Sequence, residues 1–157
     1  MPNTYTQVYI QVVFAVNGRQ SLISPSFKEE LFKYIGGVMR NAGQKLIAIN
    51  GMPDHVHILI GMKPDIALSA FVKDIKVASS RLINDKGWVR GHFSWQEGFG
   101  AFSCSQSHLS KVARYIENQE RHHSRQSFRE EYLSMLENFQ IEHEERYLFK
   151  WIEPRRV

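Results

Sequence analysis

The stretch KLIAINGMPDHVHILIGM, residues 45–62, contains two short runs of β-prone and aliphatic residues separated by turn formers. Gly, Pro and Asp favour tight turns, so the stretch predicts a β-hairpin with its turn in GMPD. Alternate residues of a strand share a face. His55 and His57 are therefore expected on one face of the second strand, and the aliphatic Val56 and Ile58 on the other, where they can cover helices.

The chain before this hairpin predicts a strand followed by a helix. Residues 5–16 alternate apolar and more polar side chains, which is the period of a half-buried strand. Ser24 as N-cap and Pro25 at the first helical position begin an amphipathic helix, and Gly43 ends it.

The chain after the hairpin predicts a helix, a strand and two further helices. Apolar residues recur at helical spacing over residues 68–83, and a strand is expected over residues 100–105. A third helix is expected from Ser107 to about His122, and Ser127 begins the last one with a Ser-x-x-Glu capping signal. The order β-α-β-β-α-β predicts an α+β fold of the ferredoxin-like or RRM-like type, with helices on one face of an antiparallel sheet and an added C-terminal helical segment.

Length and composition limit the classes of protein. A chain of 157 residues with 43% hydrophobic residues suffices for one packed core, so we expect a single domain over residues 1–157. No run approaches the roughly 18 apolar residues of a membrane span, and the start lacks the layout of a signal peptide. We therefore expect a cytoplasmic protein with no membrane partner. The single cysteine excludes an internal disulfide, and a net charge of +4 suits a polyanionic partner.

The two alternating histidines are a candidate metal pair. Their Cα atoms lie about 6.5–7 Å apart along a strand, and both imidazoles can reach one ion with bonds of about 2.0–2.2 Å. A histidine-triad nucleotide hydrolase would need a third histidine where the chain has Leu59, and an amidohydrolase barrel needs about 250 residues. A His-hydrophobic-His nuclease remains, alongside the simpler interpretation of two half-exposed histidines without a ligand.

The segment VARYIENQERHH, residues 112–123, contains a candidate nucleophile. Val112 and Ile116 belong to an apolar arc, while Tyr115 and Gln119 stand four positions apart on an adjacent polar row. About 6 Å of helix rise separates them, so one helix can bring a phenol to a phosphate and an amide oxygen to a metal. A packing tyrosine and a solvated glutamine remain the alternatives.

The segments MPDHVHILIGM, WQEGFGAFSCS and YIENQERHH resemble the HUH-class single-tyrosine transposases of bacterial insertion sequences, to which REP-associated tyrosine transposases are related. The resemblance extends from the first strand to about Phe149. It implies that His55 and His57 bind the metal, that Tyr115 is the nucleophile and that Gln119 is the third ligand. It also implies single-stranded DNA with hairpin-containing ends as the partner, and a homodimer whose tyrosine helix acts in trans.

This resemblance leads to a specific chemistry. A phenol with a pKa near 10 is a poor nucleophile unless a cation stabilises the developing charge. Oxygen and imidazole ligands suit Mg²⁺ or Mn²⁺, which polarise a phosphate, so a 5′-phosphotyrosine and a free 3′ hydroxyl are the expected products. The phosphotyrosine retains the phosphodiester energy, and the chain has no P-loop motif, so no nucleotide cofactor is expected.

Several basic residues are candidates for DNA contacts. Lys73, Lys76 and Arg81 lie on the predicted second helix and could contact phosphates, although each is also compatible with an ordinary solvated charge. The resemblance assigns no role to His122 or His123; a surface position is expected, and a position behind the metal ligands or a contact to the DNA backbone is the alternative.

Two other functions fit the same sequence. A non-catalytic RRM-like module shares the β-α-β-β-α-β plan and binds nucleic acid through aromatic residues on an open sheet. A domesticated HUH endonuclease acting on chromosomal repeats would use the same catalytic residues as a transposase.

Overall fold

The computed structural model describes residues 3–18 and 22–152, and its centre is a four-stranded antiparallel sheet in the order β2-β3-β1-β4. The strands are β1 (Val8–Ala15), β2 (Lys45–Met52), β3 (His55–Met62) and β4 (Gly100–Cys104), and the helices are α1 (Pro25–Asn41), α2 (Leu68–Lys86), α3 (Leu109–Glu117), α4 (Gln119–His123) and α5 (Phe128–Asn138). Two short 3-10 turns cover Gln106–His108 and Glu145–Tyr147. The α+β class and the ferredoxin-like plan predicted from the sequence are confirmed.

The β2–β3 hairpin puts the histidine pair in the interior of the sheet. Pro53 and Asp54 form its two-residue turn, and β3 pairs with β2 on one side and β1 on the other. His57 lies opposite Val13 of β1, and His55 lies opposite Ala15. Because β3 is an inner strand, both histidines have neighbours across the sheet on each side.

Helices cover both faces of this sheet, so the predicted arrangement of helices on one face holds only for the two crossover helices. The crossover helices α1 and α2 pack on the face that carries Val56 and Ile58, as the alternation predicts. The opposite face, with the histidines, is covered by α3, whose Ile116 packs on Leu59, and by α5, whose Tyr132 packs near Phe102. An RRM-like module needs an open sheet face, and these described strands offer none.

The predicted third helix is wrong in its extent. A 3-10 turn precedes α3, and α3 ends at Glu117 instead of continuing to His122. Asn118, a weak helix former, has φ −97° and ψ 27° between α3 and α4. The side-chain amide of Asn50 on β2 donates to the Glu117 carbonyl at 2.9 Å. This break turns Gln119 inward, where it is fully buried, instead of leaving it on a solvated row.

The last helix is fixed at its start and along its buried face. The Ser127 hydroxyl accepts the backbone N–H of Glu130, which is the predicted cap. An aromatic cluster then holds α5 on the sheet and comprises Phe128, Tyr132, Phe149 and Trp151. A Cβ at Gly100 of β4 would lie 2.6 Å from the Tyr132 hydroxyl, so glycine permits this close approach. In the described ranges, no helix is long and apolar enough to cross a bilayer.

Candidate metal centre and nucleophile

The histidine pair is completely buried, which excludes the interpretation of two half-exposed sheet residues. His55 and His57 both have no exposed surface, and their ring centroids are 5.1 Å apart. Phe128 of α5 stacks flat on His55, with 3.8 Å between centroids and 3° between planes. Buried imidazoles need polar partners, because an unpaired polar group in a core costs about 1–3 kcal/mol.

The first set of partners converges on one oxygen of Glu131. The Nε2–H of His57 donates to Glu131 Oε1 at 2.8 Å, and the Nε2–H of His123 donates to the same oxygen at 3.2 Å. His55 Nε2 lies 3.4 Å from it. One ligand atom from each of these four residues lies within 4.8 Å of the others. Three imidazoles and a carboxylate therefore surround a single buried point.

The second oxygen of Glu131 faces the candidate nucleophile. Tyr115 donates its hydroxyl to Glu131 Oε2, and the Gln119 amide donates to the same oxygen at 3.3 Å. The other end of that amide, Gln119 Oε1, accepts from His55 Nε2 at 3.2 Å. The structure thus brings together all four residues that the sequence singled out for catalysis and metal binding, within one chain.

Each histidine of the pair has a further partner on its Nδ1 atom. His55 donates Nδ1–H to Asp54 Oδ1 at 2.7 Å, which leaves Nε2 directed at Gln119 and Glu131. Gln11 of β1 donates its amide to His57 Nδ1 at 3.1 Å. Such outer partners fix the orientation and tautomer of metal-binding histidines.

The charges of the cluster are coupled. Burial opposes ionisation of Glu131, but hydrogen bonds from His123, His55 and His57 outweigh it and hold its pKa far below the ordinary range. The N-terminal turn of α5 favours the same carboxylate charge. Burial also lowers the pKa of His55, yet Asp54 and Glu131 more than offset this and the net direction is upward.

Burial shifts the pKa of His57 and that of Tyr115 in the direction that favours the neutral form. Desolvation lowers the pKa of His57 despite its hydrogen bond to Glu131. Burial, followed by the contact with Glu131, raises the pKa of the Tyr115 phenol. Both directions favour a neutral phenol that donates a hydrogen bond to an ionised Glu131.

The donor set fits a divalent cation. The Nε2 atoms of His55 and His57 converge on one carboxylate oxygen, so a cation between them would replace two imidazole protons without moving a strand. Imidazole and carboxylate ligands suit Mn²⁺ and similar divalent ions, and carboxylate with amide oxygen suits Mg²⁺.

Sequence reasoning missed Glu131 and assigned His123 to the surface. His123 side-chain exposure is only 7%, because α4 carries it under α5 and beside His55. His122 instead stacks on Tyr115, with 4.2 Å between centroids. Glu131 had one indication in the sequence: it follows Phe128 by three positions and precedes Tyr132, so it is a carboxylate on the apolar stripe of an amphipathic helix.

The predicted DNA-contacting cations are not part of this cluster. Lys73, Lys76 and Arg81 lie on α2, which packs against the opposite face of the sheet. Lys76 donates to the carbonyl oxygens of Gln96 and Gly98, and burial lowers its pKa to about 8. Lys76 is thus engaged in holding the loop after α2, while Lys73 and Arg81 are exposed.

A ferredoxin-like sheet that presents a buried His-x-His pair to a tyrosine on a following helix defines a protein of the HUH class. The model of the family described as "Transposase IS200 like" matches residues 4–119. The chain belongs to this family of transposases. The match ends at Gln119, so His123 and the whole of α5, including Glu131, lie beyond it.

Individual relatives agree with this assignment. The chain is 26% identical over 120 residues to the ISDra2 transposase TnpA of Deinococcus radiodurans, covering 72% of this chain and 84% of that one. A crystal structure described as a transposase of Deinococcus radiodurans R1 has a TM-score of 0.58 at 24% identity, covering 74% of this chain and 94% of that one. A REP-associated tyrosine transposase bound to a REP hairpin has a TM-score of 0.56 at 17% identity, covering 74% and 68%. The two structural likenesses concern the fold.

Proposed function

We propose that this protein, acting as one domain, cleaves single-stranded DNA and transfers the cut strand through a 5′-phosphotyrosine on Tyr115. One observation carries the proposal: the Tyr115 hydroxyl and both imidazoles of the histidine pair meet at the carboxylate of Glu131. A phenol held by a hydrogen bond beside a divalent-metal donor set is the arrangement that phosphoryl transfer by tyrosine requires.

The residues that would hold the metal are His55 and His57 through Nε2, together with Glu131 through Oε1. Gln119 directs its amide oxygen at the same space and His123 borders it, so each is a candidate for a further ligand. The chemistry that Mg²⁺ or Mn²⁺ supplies when bound there is polarisation of a phosphate oxygen.

The chain's own residues provide the remaining steps. Glu131 Oε2 accepts the Tyr115 hydroxyl and orients the phenol oxygen, which attacks the phosphorus as the phenol proton leaves to solvent. The bond from phosphorus to the 3′ oxygen breaks, and the departing oxygen takes up a proton to become a 3′ hydroxyl. Rejoining reverses these steps: a 3′ hydroxyl attacks the phosphotyrosine and releases the Tyr115 phenol.

The contacts support a site completed within one chain. The resemblance to insertion-sequence transposases implies a homodimer with the tyrosine acting in trans, and that arrangement would require Tyr115 to leave its own Glu131. Here the Tyr115 and His57 rings of the same chain are 6.2 Å apart, and His122 of that chain stacks on the tyrosine. We therefore propose action in cis, in a monomer or in either subunit of a dimer.

The DNA partner is proposed to be single-stranded with hairpin-containing ends, as the resemblance implies. One structural relative is bound to a REP hairpin. Lys73 and Arg81, exposed on α2, remain candidate phosphate contacts for a duplex stem on the face of the sheet away from the nucleophile.

The test is formation of a covalent adduct with single-stranded DNA taken from the flanks of the gene. We expect an adduct with Mg²⁺ or Mn²⁺, none after chelation, and none from Tyr115→Phe, which keeps the ring and removes only the attacking oxygen. Tyr132→Phe is the matched control, because Tyr132 is a buried tyrosine on α5 that packs in an aromatic cluster, and it should still form the adduct. A phosphotyrosine mapped to another residue, or an adduct from Tyr115→Phe, would refute the assignment.

A further inference from the structure

A crevice opens beside the candidate nucleophile Tyr115. It has a volume of about 820 Å³. One wall is formed by the end of β4 and the turn that follows it, and the opposite wall by the exposed side of α5. Tyr115 and Glu131 line its inner end, and Glu131 is buried there. Ser103, Lys111 and Asn138 are exposed residues at its outer rim. The volume lies within the range of about 300–1,000 Å³ that is typical of ligand sites.

The charge of the crevice suits a phosphate backbone. Glu131 is the single carboxylate among the described lining residues, and its charge is already directed at the histidines. Lys111 of α3 and His108 stand at the opening, beside the hydroxyls of Ser103 and Ser105. Lysine, serine and histidine side chains are the usual partners of phosphate oxygens.

The walls of the crevice suit a nucleobase. Val112 of α3 and Met135 of α5 provide apolar surface, and Phe139 follows α5 with 45% of its surface exposed. Phe139 is held from behind by Phe102, with 5.0 Å between ring centroids. A supported but half-exposed aromatic ring that shares a crevice with a lysine offers a stacking surface and a positive charge, the two features by which proteins bind single strands without sequence preference.

We propose that this crevice binds the nucleotide of single-stranded DNA next to the scissile phosphate, with its base on Phe139 and a neighbouring phosphate at Lys111. The proposal rests on the proposed function, because it takes the Tyr115 hydroxyl as the position of the scissile phosphate. In this proposal α5 contributes one wall of the DNA site in addition to Glu131. The whole of α5 lies beyond the family match.

The first test measures affinity for a short fluorescent oligo(dT) in the Tyr115→Phe background, where no cleavage occurs. Phe139→Ala should weaken binding about fivefold or more, the effect of losing one base–aromatic stack. Lys111→Ala should make the plot of log binding constant against log salt concentration less steep by about 0.7. This is the value for one phosphate contact of a single strand. Lys33→Ala is the matched control, because Lys33 is exposed on α1 and pairs with Glu29.

The second test uses Cys104, the single cysteine of the chain, which lines the crevice and is partly exposed. Saturating oligo(dT) should slow the reaction of Cys104 with a thiol reagent several-fold. Phe139→Ala removes a ring that packs on Phe102, so its effect on binding includes any loss of stability. The labelling of Cys104 and the change of the exposed Lys111 do not involve that ring.

The outcomes separate this proposal from the proposed function. Suppose that the parent forms the covalent adduct, but that Phe139→Ala keeps its affinity, Lys111→Ala keeps its salt slope and oligo(dT) does not slow the labelling of Cys104. The crevice is then refuted and the catalytic proposal stands. If the three effects appear but no adduct forms, the crevice stands and catalysis is refuted. Failure of the Tyr115→Phe protein to bind oligo(dT), or equal weakening by Lys33→Ala, overturns the crevice.

Discussion

Glu131→Gln is the most informative single change, because it keeps the shape of the side chain and removes its charge. The two carboxylate oxygens accept four hydrogen bonds, from His57, His123, Tyr115 and Gln119. The glutamine amide keeps one acceptor oxygen. In place of the second carboxylate oxygen it has an NH₂ group, which faces hydrogen-bond donors and cannot accept from them.

The expected cost follows from these contacts. Hydrogen bonds to a charged group contribute about 1.5–3 kcal/mol each, and breaking a buried ion pair costs about 3–5 kcal/mol. The retained oxygen offsets part of this loss, so we expect the free energy of unfolding to fall by about 3 kcal/mol. For a chain of this length that corresponds to a drop in Tm of about 6–12 °C.

The assay is a thermal melt with and without Mn²⁺. At a free Mn²⁺ concentration about 100-fold above Kd the parent should gain about 2.7 kcal/mol, and Glu131→Gln should lose most of that gain. Glu130→Gln is the matched control: Glu130 shares the first turn of α5 and the helix dipole but is exposed and does not belong to the buried cluster of His55, His57 and His123. If both variants melt within about 1 °C of each other and keep the same Mn²⁺ shift, the assignment of Glu131 to the site is wrong.

Three further changes test other parts of the structure. Mixing His57→Ala with Tyr115→Phe should not restore adduct formation, because each chain uses its own tyrosine, whereas recovery of activity in the mixture would show action in trans. Gly100→Ala should lower the free energy of unfolding by about 1–3 kcal/mol through overpacking, since the new Cβ would meet Tyr132 at 2.6 Å; an unchanged urea midpoint would contradict that contact. Lys76 has a pKa of about 8 in the folded protein against 10.5 for an ordinary lysine, so the folded state binds fewer protons between those values and stability should rise with pH across that window. Lys76→Met should lack this rise in parallel urea titrations, and identical pH profiles would refute the burial of the ammonium.

Local sequence patterns were sufficient for most of the scaffold. The alternation in β3 assigned His55 and His57 to one face and Val56 to the other, and Ser24 with Pro25 located the start of α1. These features depend on residues close together in the chain, because strand period, turn chemistry and capping act over a few positions. The candidate nucleophile Tyr115 was singled out by helical spacing together with the resemblance to single-tyrosine transposases.

Only tertiary packing decided what covers the histidines. Glu131 reaches His57 from 74 positions away in sequence, on a helix held by aromatic contacts and by the close approach that Gly100 permits. The break at Asn118, which turns Gln119 inward, is stabilised by the amide of Asn50 from β2, 67 residues from the carbonyl it binds. Amphipathic patterns indicate that a face is buried, but the partner that buries it is chosen by side-chain fit between distant elements, and that fit gives His55 and His57 their carboxylate.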